Sequence, residues 1–266
     1  MEPLRRRTAV AGVLLAPYAL VAGPADAAAR HGLRRPSRKE IAMQLVSSAE
    51  NSSLDWRAQY TYLQDIGDGR GYTGGIIGFC SGTGDMLAVV RDYTRRQPSN
   101  PLRRFLPALR EVNGTASHAG LGRPFVRAWH DAAHDRAFRR AQDHERDRGY
   151  FNPAVTRGMR DGLRTLGQFV YYDALVMHGL GGDPQSFGGI RRAARRVAAT
   201  PADGGAETAY LRAFFAARRR VMRLEAAHED TSRIDTCQAR FLRERNFDLA
   251  PPLTWHVYGD RFHIGR

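Results

Sequence analysis

Apolar positions along the chain recur mostly at three- and four-residue intervals, the spacing that gathers them on one face of a helix. Segment 38–51 shows it first: Ile41, Leu45 and Ala49 share a face, and Ser37 is placed to cap the N-terminal end. Glu50 closes that segment, just before an Asn51-Ser52-Ser53 stop. The pattern then changes. Residues 60–66 (YTYLQDI) are β-prone, Asp68-Gly69 makes a turn, and 72–79 returns with β character, which together predict a hairpin. Helical spacing resumes from Thr83 through Met86, Leu87, Val90 and Tyr93. Beyond residue 100 the pattern predicts a long helix over 123–147 and another over 152–178, entered through Asn152-Pro153. Shorter helices follow at 184–199, 206–227 and 231–245. Phe169, Val170, Ala174 and Leu175 make 152–178 apolar enough for a central, buried helix. The chain ends in Pro251-Pro252 and an aromatic tail with Trp255 and Tyr258. The expected fold class is mainly α (α+β): two lobes sharing a helix, with one small β element near the N-terminus. No Gly/Ser-rich or Pro-rich linker divides it.

The first residues depart from this pattern. Arg5, Arg6 and Arg7 precede an apolar run over 8–21, and small residues follow, with Ala25-Asp26-Ala27 matching a cleavage site. This is the layout of a secretory signal over 1–27, leaving 28–266 as one domain of two lobes. The run is too short, and too broken by Pro17, for a spanning helix. The paired arginines fit twin-arginine export, so the expected location is extracellular.

Charge changes the picture less than its size suggests. The chain of 266 residues carries a formal net charge of +14, and Lys39 is its only lysine. Its arginines fall in short clusters, 191–196 and 218–220 among them, interleaved with apolar helix positions. That spacing fits solvated helix faces better than a nucleic-acid footprint. Residues 67–85 (GDGRGYTGGIIGFCSGTGD) hold eight glycines, and Gly69 to Gly74 match G-x-G-x-x-G. No lysine follows and no helix opens on the motif, which excludes P-loop, kinase and dinucleotide sites. Cys80 and Cys237 are either one disulfide or two buried thiols.

Three constellations bear on chemistry. Glu50 at a helix end and Asp68 on the hairpin turn form a carboxylate pair suited to acid–base hydrolysis of a glycosidic bond, or else a solvated helix end and an ordinary Asp-Gly turn. His130 and His134, spaced four apart with Asp131 between them, echo a zinc motif. Asp replaces the required Glu there, His144 is a poor third ligand, and no metal or cofactor is expected. Gly78-Phe79-Cys80-Ser81-Gly82 misses the nucleophile elbow by one residue.

Taken whole, the stretch from Glu40 to Met86 resembles the N-terminal lobe of bacterial chitosanases of glycoside hydrolase family 46. The likeness continues through NGTASHAGLG, AQDHERDRGYF, LGQFVYYDALVMHG, FGGIRR, AAHEDTSRIDT and DLAPPLTWHVYGD, covering about 38–260. The resemblance implies a lysozyme-like fold and an endo-acting, inverting hydrolase of β-1,4-linked glucosamine polymers. It implies Glu50 as general acid, Asp68 as general base, Thr73 as holder of the attacking water, and Asp85 in recognition of the substrate's amino group. It further implies a charged network of Arg70, Asp173, Arg218, Glu225 and Arg233 behind the acid. A polycationic substrate on a basic protein requires local carboxylates, for which Asp65 is a further candidate. The expected partner is chitosan bound by a monomer, with no nucleic acid and no membrane. Trp56, Trp129 and Trp255 are expected in the core. A lysozyme-like muramidase and a non-catalytic basic binding protein are the rival readings.

Overall fold

The computed structural model describes residues 32–224 and 230–265. The leader 1–27 and Glu225 lie outside the described residues. Helix α1, Pro36–Asn51, starts at its proline behind Arg35, not at Ser37. Proline has no N–H to leave unpaired in a first turn, and its φ is already helical. Ile41, Ala42, Leu45, Val46 and Ala49 are buried, and the helix ends where Ser52 turns left-handed at φ 48°. Glu50 is thereby delivered at the helix end with its side chain 36% exposed.

The β element is a three-stranded meander rather than a hairpin. The aromatic run before it is half helical: Trp56–Thr61 makes tight turns begun by Asp55, which accepts from the Ala58 N–H. Only Leu63–Asp65 (β1) extends. The expected return strand 72–79 breaks into Tyr72–Gly74 (β2) and Phe79–Cys80 (β3), because Gly75 and Gly78 sit at φ 75° and turn the chain between them. Both pairings are antiparallel, with Gln64 opposite Thr73 and Thr73 opposite Cys80.

Helices α2 (Asp85–Arg96) and α3 (Leu106–Glu111) follow. The long helix expected over 123–147 is two, α4 (Gly122–Ala132) and α5 (Arg136–Arg146). Asp135 divides them by taking an extended backbone and capping α5 through the Ala137 N–H. The expected 152–178 helix also divides, into α6 (Asn152–Arg160) and α7 (Thr165–His178). Gly162, at φ 74° against Pro201 and Ala202, makes that corner. α7 is the central helix, with every residue from Thr165 to Leu175 buried. Around it lie α8 (Phe187–Arg195), α9 (Glu207–Met222), a wide helical turn Arg233–Gln238 and α10 (Ala239–Arg243).

The aromatic tail is a hairpin, β4 (Leu253–Val257) with β5 (Asp260–Ile264). Leu253, Trp255 and Val257 alternate inward, and the buried Trp255 indole N–H donates to Ser48 Oγ at 3.0 Å, tying the hairpin to α1. The core is continuous from Leu33 to Phe262 and includes Trp56, Trp129 and Trp255.

Gln142, buried on α5, clamps the sheet wall to the helical body. Its Nε2 donates to the Tyr60 carbonyl at 3.0 Å and its Oε1 accepts from the Ile76 N–H at 3.2 Å. Gln142→Leu keeps the side-chain size but strands both backbone groups, so it should cost about 2–4 kcal/mol in denaturant unfolding.

Candidate active site

Two walls meet at Glu50, and they are built in different ways. On the helical side, Arg233 Nη2 donates to Glu50 Oε1 at 2.8 Å and to Asp173 Oδ1 at 2.7 Å. Arg218 Nη1 donates to Asp173 Oδ2 at 2.6 Å, joined by Gln238 Nε2 at 2.6 Å. Arg218, Arg233, Asp173 and Gln238 are all buried. Arg218 Nε also donates to His178 Nε2 at 3.2 Å. Burial alone would raise the Asp173 pKa. The charges of Arg233 and Arg218, with their hydrogen bonds, override it and hold the carboxyl well below the usual carboxylate range. The same competition favours charged Arg233, where burial is outweighed by Asp173 and Glu50.

On the sheet side, Asp68 lies in the turn after β1. It accepts from the Arg70 N–H at 3.0 Å and, through Oδ2, from Arg70 Nε at 2.8 Å and Nη2 at 2.5 Å. Partial burial opposes ionisation, but these bonds and the guanidinium charge keep the Asp68 carboxyl below its ordinary value. Arg70 therefore does not join the network around Asp173, where the resemblance placed it. Gly67, Gly69 and Gly71 all have positive φ and fold the turn so tightly that the guanidinium reaches the carboxylate two residues back.

Thr73 is buried on β2 with its Oγ1 3.5 Å from Cys80 Sγ. Together with Glu50, Tyr62, Ile66 and Ile77 it lines a recess of about 140 Å³. Asp85 begins α2 behind β3. Its Oδ1 accepts from the Cys80 N–H (2.8 Å), the Met86 N–H (2.9 Å) and Thr83 Oγ1 (2.8 Å), while Oδ2 has one protein donor, the Tyr150 hydroxyl at 3.1 Å. Burial pushes the Asp85 carboxyl up. Asp65 is an exposed rim group, 3.5 Å from His118 Nε2. The structure thus gathers Glu50, Asp173, Arg218 and Arg233 in one cluster and Asp68 with Arg70 in another. Sequence reasoning missed Gln238, Tyr150 and Ile66, which carry no local motif.

The rejected constellations fare simply. α4 ends at Ala132, so His134 lies beyond it and the one-turn spacing from His130 is lost. Among the described residues no three His, Cys, Asp or Glu side chains gather as metal ligands. Cys80 and Cys237 are separate buried thiols. A roomier groove of about 700 Å³ between α6 and α8 shares no residue with the recess, and Arg148, Arg157, Arg160, Arg191 and Arg192 line it. Its positive charge suits a polycation poorly.

Comparison with known proteins identifies the family. The model of glycosyl hydrolase family 46 matches residues 44–253. A chitosanase of Streptomyces sp. (strain N174) is 64% identical over 233 residues, 88% of this chain and 84% of that protein. A chitosanase of Nocardioides sp. (strain N106) is 61% identical over 247 residues, 91% and 88% of the two chains. The fold superposes on the chitosanase OU01, solved in co-crystals with substrate, at a TM-score of 0.85 and 60% identity, covering 88% of this chain and 99% of that one. With its mainly helical, lysozyme-like architecture and small antiparallel sheet, the chain belongs to glycosyl hydrolase family 46.

Proposed function

We propose that this glycoside hydrolase is an endo-chitosanase: it cleaves β-1,4 bonds between glucosamine units of chitosan, acts as a monomer, and inverts the anomeric centre. The observation that carries the mechanism is the unequal support of the two carboxylates. Glu50 projects half-exposed from a helix end, and among the described residues its one ion pair is to an arginine already shared with Asp173. Asp68 is clasped through both oxygens by its own loop. A guanidinium that serves two carboxylates holds Glu50 in place at the recess, where the general acid must deliver its proton to the leaving oxygen. Asp68, kept ionised by Arg70, is suited to draw a proton from water. Thr73 faces the recess beside Glu50 and is suited to hold that water. Inversion requires room for the water, and the two carboxyls of inverting enzymes stand roughly 6.5–9.5 Å apart.

Recognition of the polymer falls to local anions. Asp85 keeps one carboxylate oxygen with spare acceptor capacity, and Asp65 offers an exposed carboxylate on the rim of the same sheet. An ammonium group losing its water needs such a partner. The leader pattern supports export of the mature enzyme, with its N-terminus at Ala28; N-terminal sequencing of material from the culture medium checks this.

Glucosamine hexamer, with products resolved by length and anomer, tests the reading. NMR of the first products should show the anomer opposite to the substrate linkage, and bacterial cell walls should release no reducing ends. Glu50→Gln should lose at least 10³-fold in kcat, a magnitude on the order of what a positioned acid supplies, while calorimetry still registers hexamer binding. Asp173→Asn leaves two buried guanidinium groups short of an anion. It should cost about 3–5 kcal/mol in unfolding measurements. Because the folded pKa of Asp173 is depressed, its contribution in the native enzyme is complete above pH ~4, the unfolded value. It declines as pH falls further towards the folded pKa. The Asn variant should therefore lose much of that acid-side slope in a melting-temperature profile.

A further inference from the structure

The C-terminal hairpin contains a residue that its backbone disfavours. Val257 pairs with Asp260, so Tyr258 and Gly259 alone form the turn between β4 and β5. Both have positive φ, 51° at Tyr258 and 88° at Gly259. Two-residue turns of this kind favour Asn, Asp or Gly at the first position, where a bulky aromatic is strained.

Packing does not compensate. Tyr258 is 46% exposed, and the aromatic contact of the hairpin is made instead by Trp255 and Phe262 at 5.7 Å. Among the described residues, the Tyr258 side chain makes no hydrogen bond and stacks on no other ring. The turn is nevertheless pinned in place. The Tyr258 N–H donates to Ser232 Oγ at 2.9 Å, and one strand residue earlier the His256 carbonyl accepts from Thr236 Oγ1 at 2.6 Å. Ser232 immediately precedes Arg233, whose guanidinium holds Glu50. Partial burial raises the Tyr258 hydroxyl pKa, and the charges of Arg233, Glu50 and Asp173 all bear on it. Strain that persists without a packing reward gathers where a protein binds or reacts.

We infer that Tyr258 is a sugar platform, its ring face packing against a glucosamine unit bound beside Glu50. Its turn belongs to the C-terminal hairpin and is held by Ser232, next to the arginine that binds Glu50, whereas Tyr62, Ile66 and Thr73 line the recess at Glu50 from the sheet. A pyranose presents C–H groups to such a face, and the protonated amine of glucosamine adds attraction to the π electrons. The inference rests on Glu50 marking the point of cleavage.

Tyr258→Asn and Tyr258→Phe, each compared with the unaltered enzyme on glucosamine hexamer, separate platform from scaffold. Asn suits the turn, so the melting temperature should hold or rise by about 2 °C. KM should rise roughly 5- to 10-fold, as expected for a lost aromatic contact, with a shifted distribution of product lengths and little change in kcat. Tyr258→Phe should keep the native KM, since the ring face and not the hydroxyl makes the contact. An Asn variant with unchanged KM and products overturns the inference, as does a Phe variant as impaired as Asn. Hexamer titrated into Glu50→Gln, with and without Tyr258→Asn, separates this outcome from the role of Glu50. Weaker binding in the double variant supports the platform whatever turnover Glu50→Gln retains, and equal binding refutes it.

Discussion

A single buried carboxylate organises the helical half of the active site. Asp173 lies on the central helix, excluded from water, and survives there as an anion because Arg218, Arg233 and Gln238 satisfy its oxygens. Isolated charges in such a place would cost several kcal/mol each, so none of these groups is tolerable without the others. The position of Glu50 follows from that requirement. Arg233 cannot leave Asp173, and the Nη2 that it gives to Asp173 is also the group that the end of α1 meets at Glu50. Packing of the core thus fixes the Glu50 carboxylate, and Trp255, bonded to Ser48 two residues before it, secures the same helix end.

The opposite wall obeys a local rule. Asp68 and Arg70 are two residues apart, whereas Glu50 and Arg233 are separated by 183. Three left-handed glycines let the turn close on itself and bring its own counter-ion. The remainder of the wall is a relay of small contacts. Thr73 touches Cys80, the Cys80 N–H donates to Asp85, and Asp85 takes the Tyr150 hydroxyl. Gln142 binds this sheet to the body ahead of β1 and at the turn between β2 and β3. One carboxylate is therefore tuned by a network spanning the chain and the other by its own loop.

Net charge misleads about this protein. A +14 chain suggests a polyanion partner, yet many of its arginines are paired or face solvent, and the recess at Glu50 is lined by that carboxylate and by no arginine. The arginine-lined groove between α6 and α8 shows the consequence: a cavity roomier than the recess carries the sign least suited to a polyaminosaccharide. What a cleft accepts depends on the few charges that line it.

The sequence determined much on its own. Helical periodicity marked α1 and the central helix, and glycine density marked the tight turn. The ordered motifs carried the family. Breaks within periodic stretches were hidden, because Asp135 as a cap and Gly162 as a corner look like ordinary surface residues until a neighbouring segment demands the bend. The tail was read only as aromatic, with no strand assigned, because its alternation is only five residues long on each side of a two-residue turn. Arg70 was placed by analogy with the wrong carboxylate. Choosing between two carboxylates is a matter of distance, and distance between remote residues is set by how helices pack. The sequence by itself settled which residues carry charge and where the backbone can turn. Only the tertiary structure decided which charges meet, since burial makes every pairing depend on all the others.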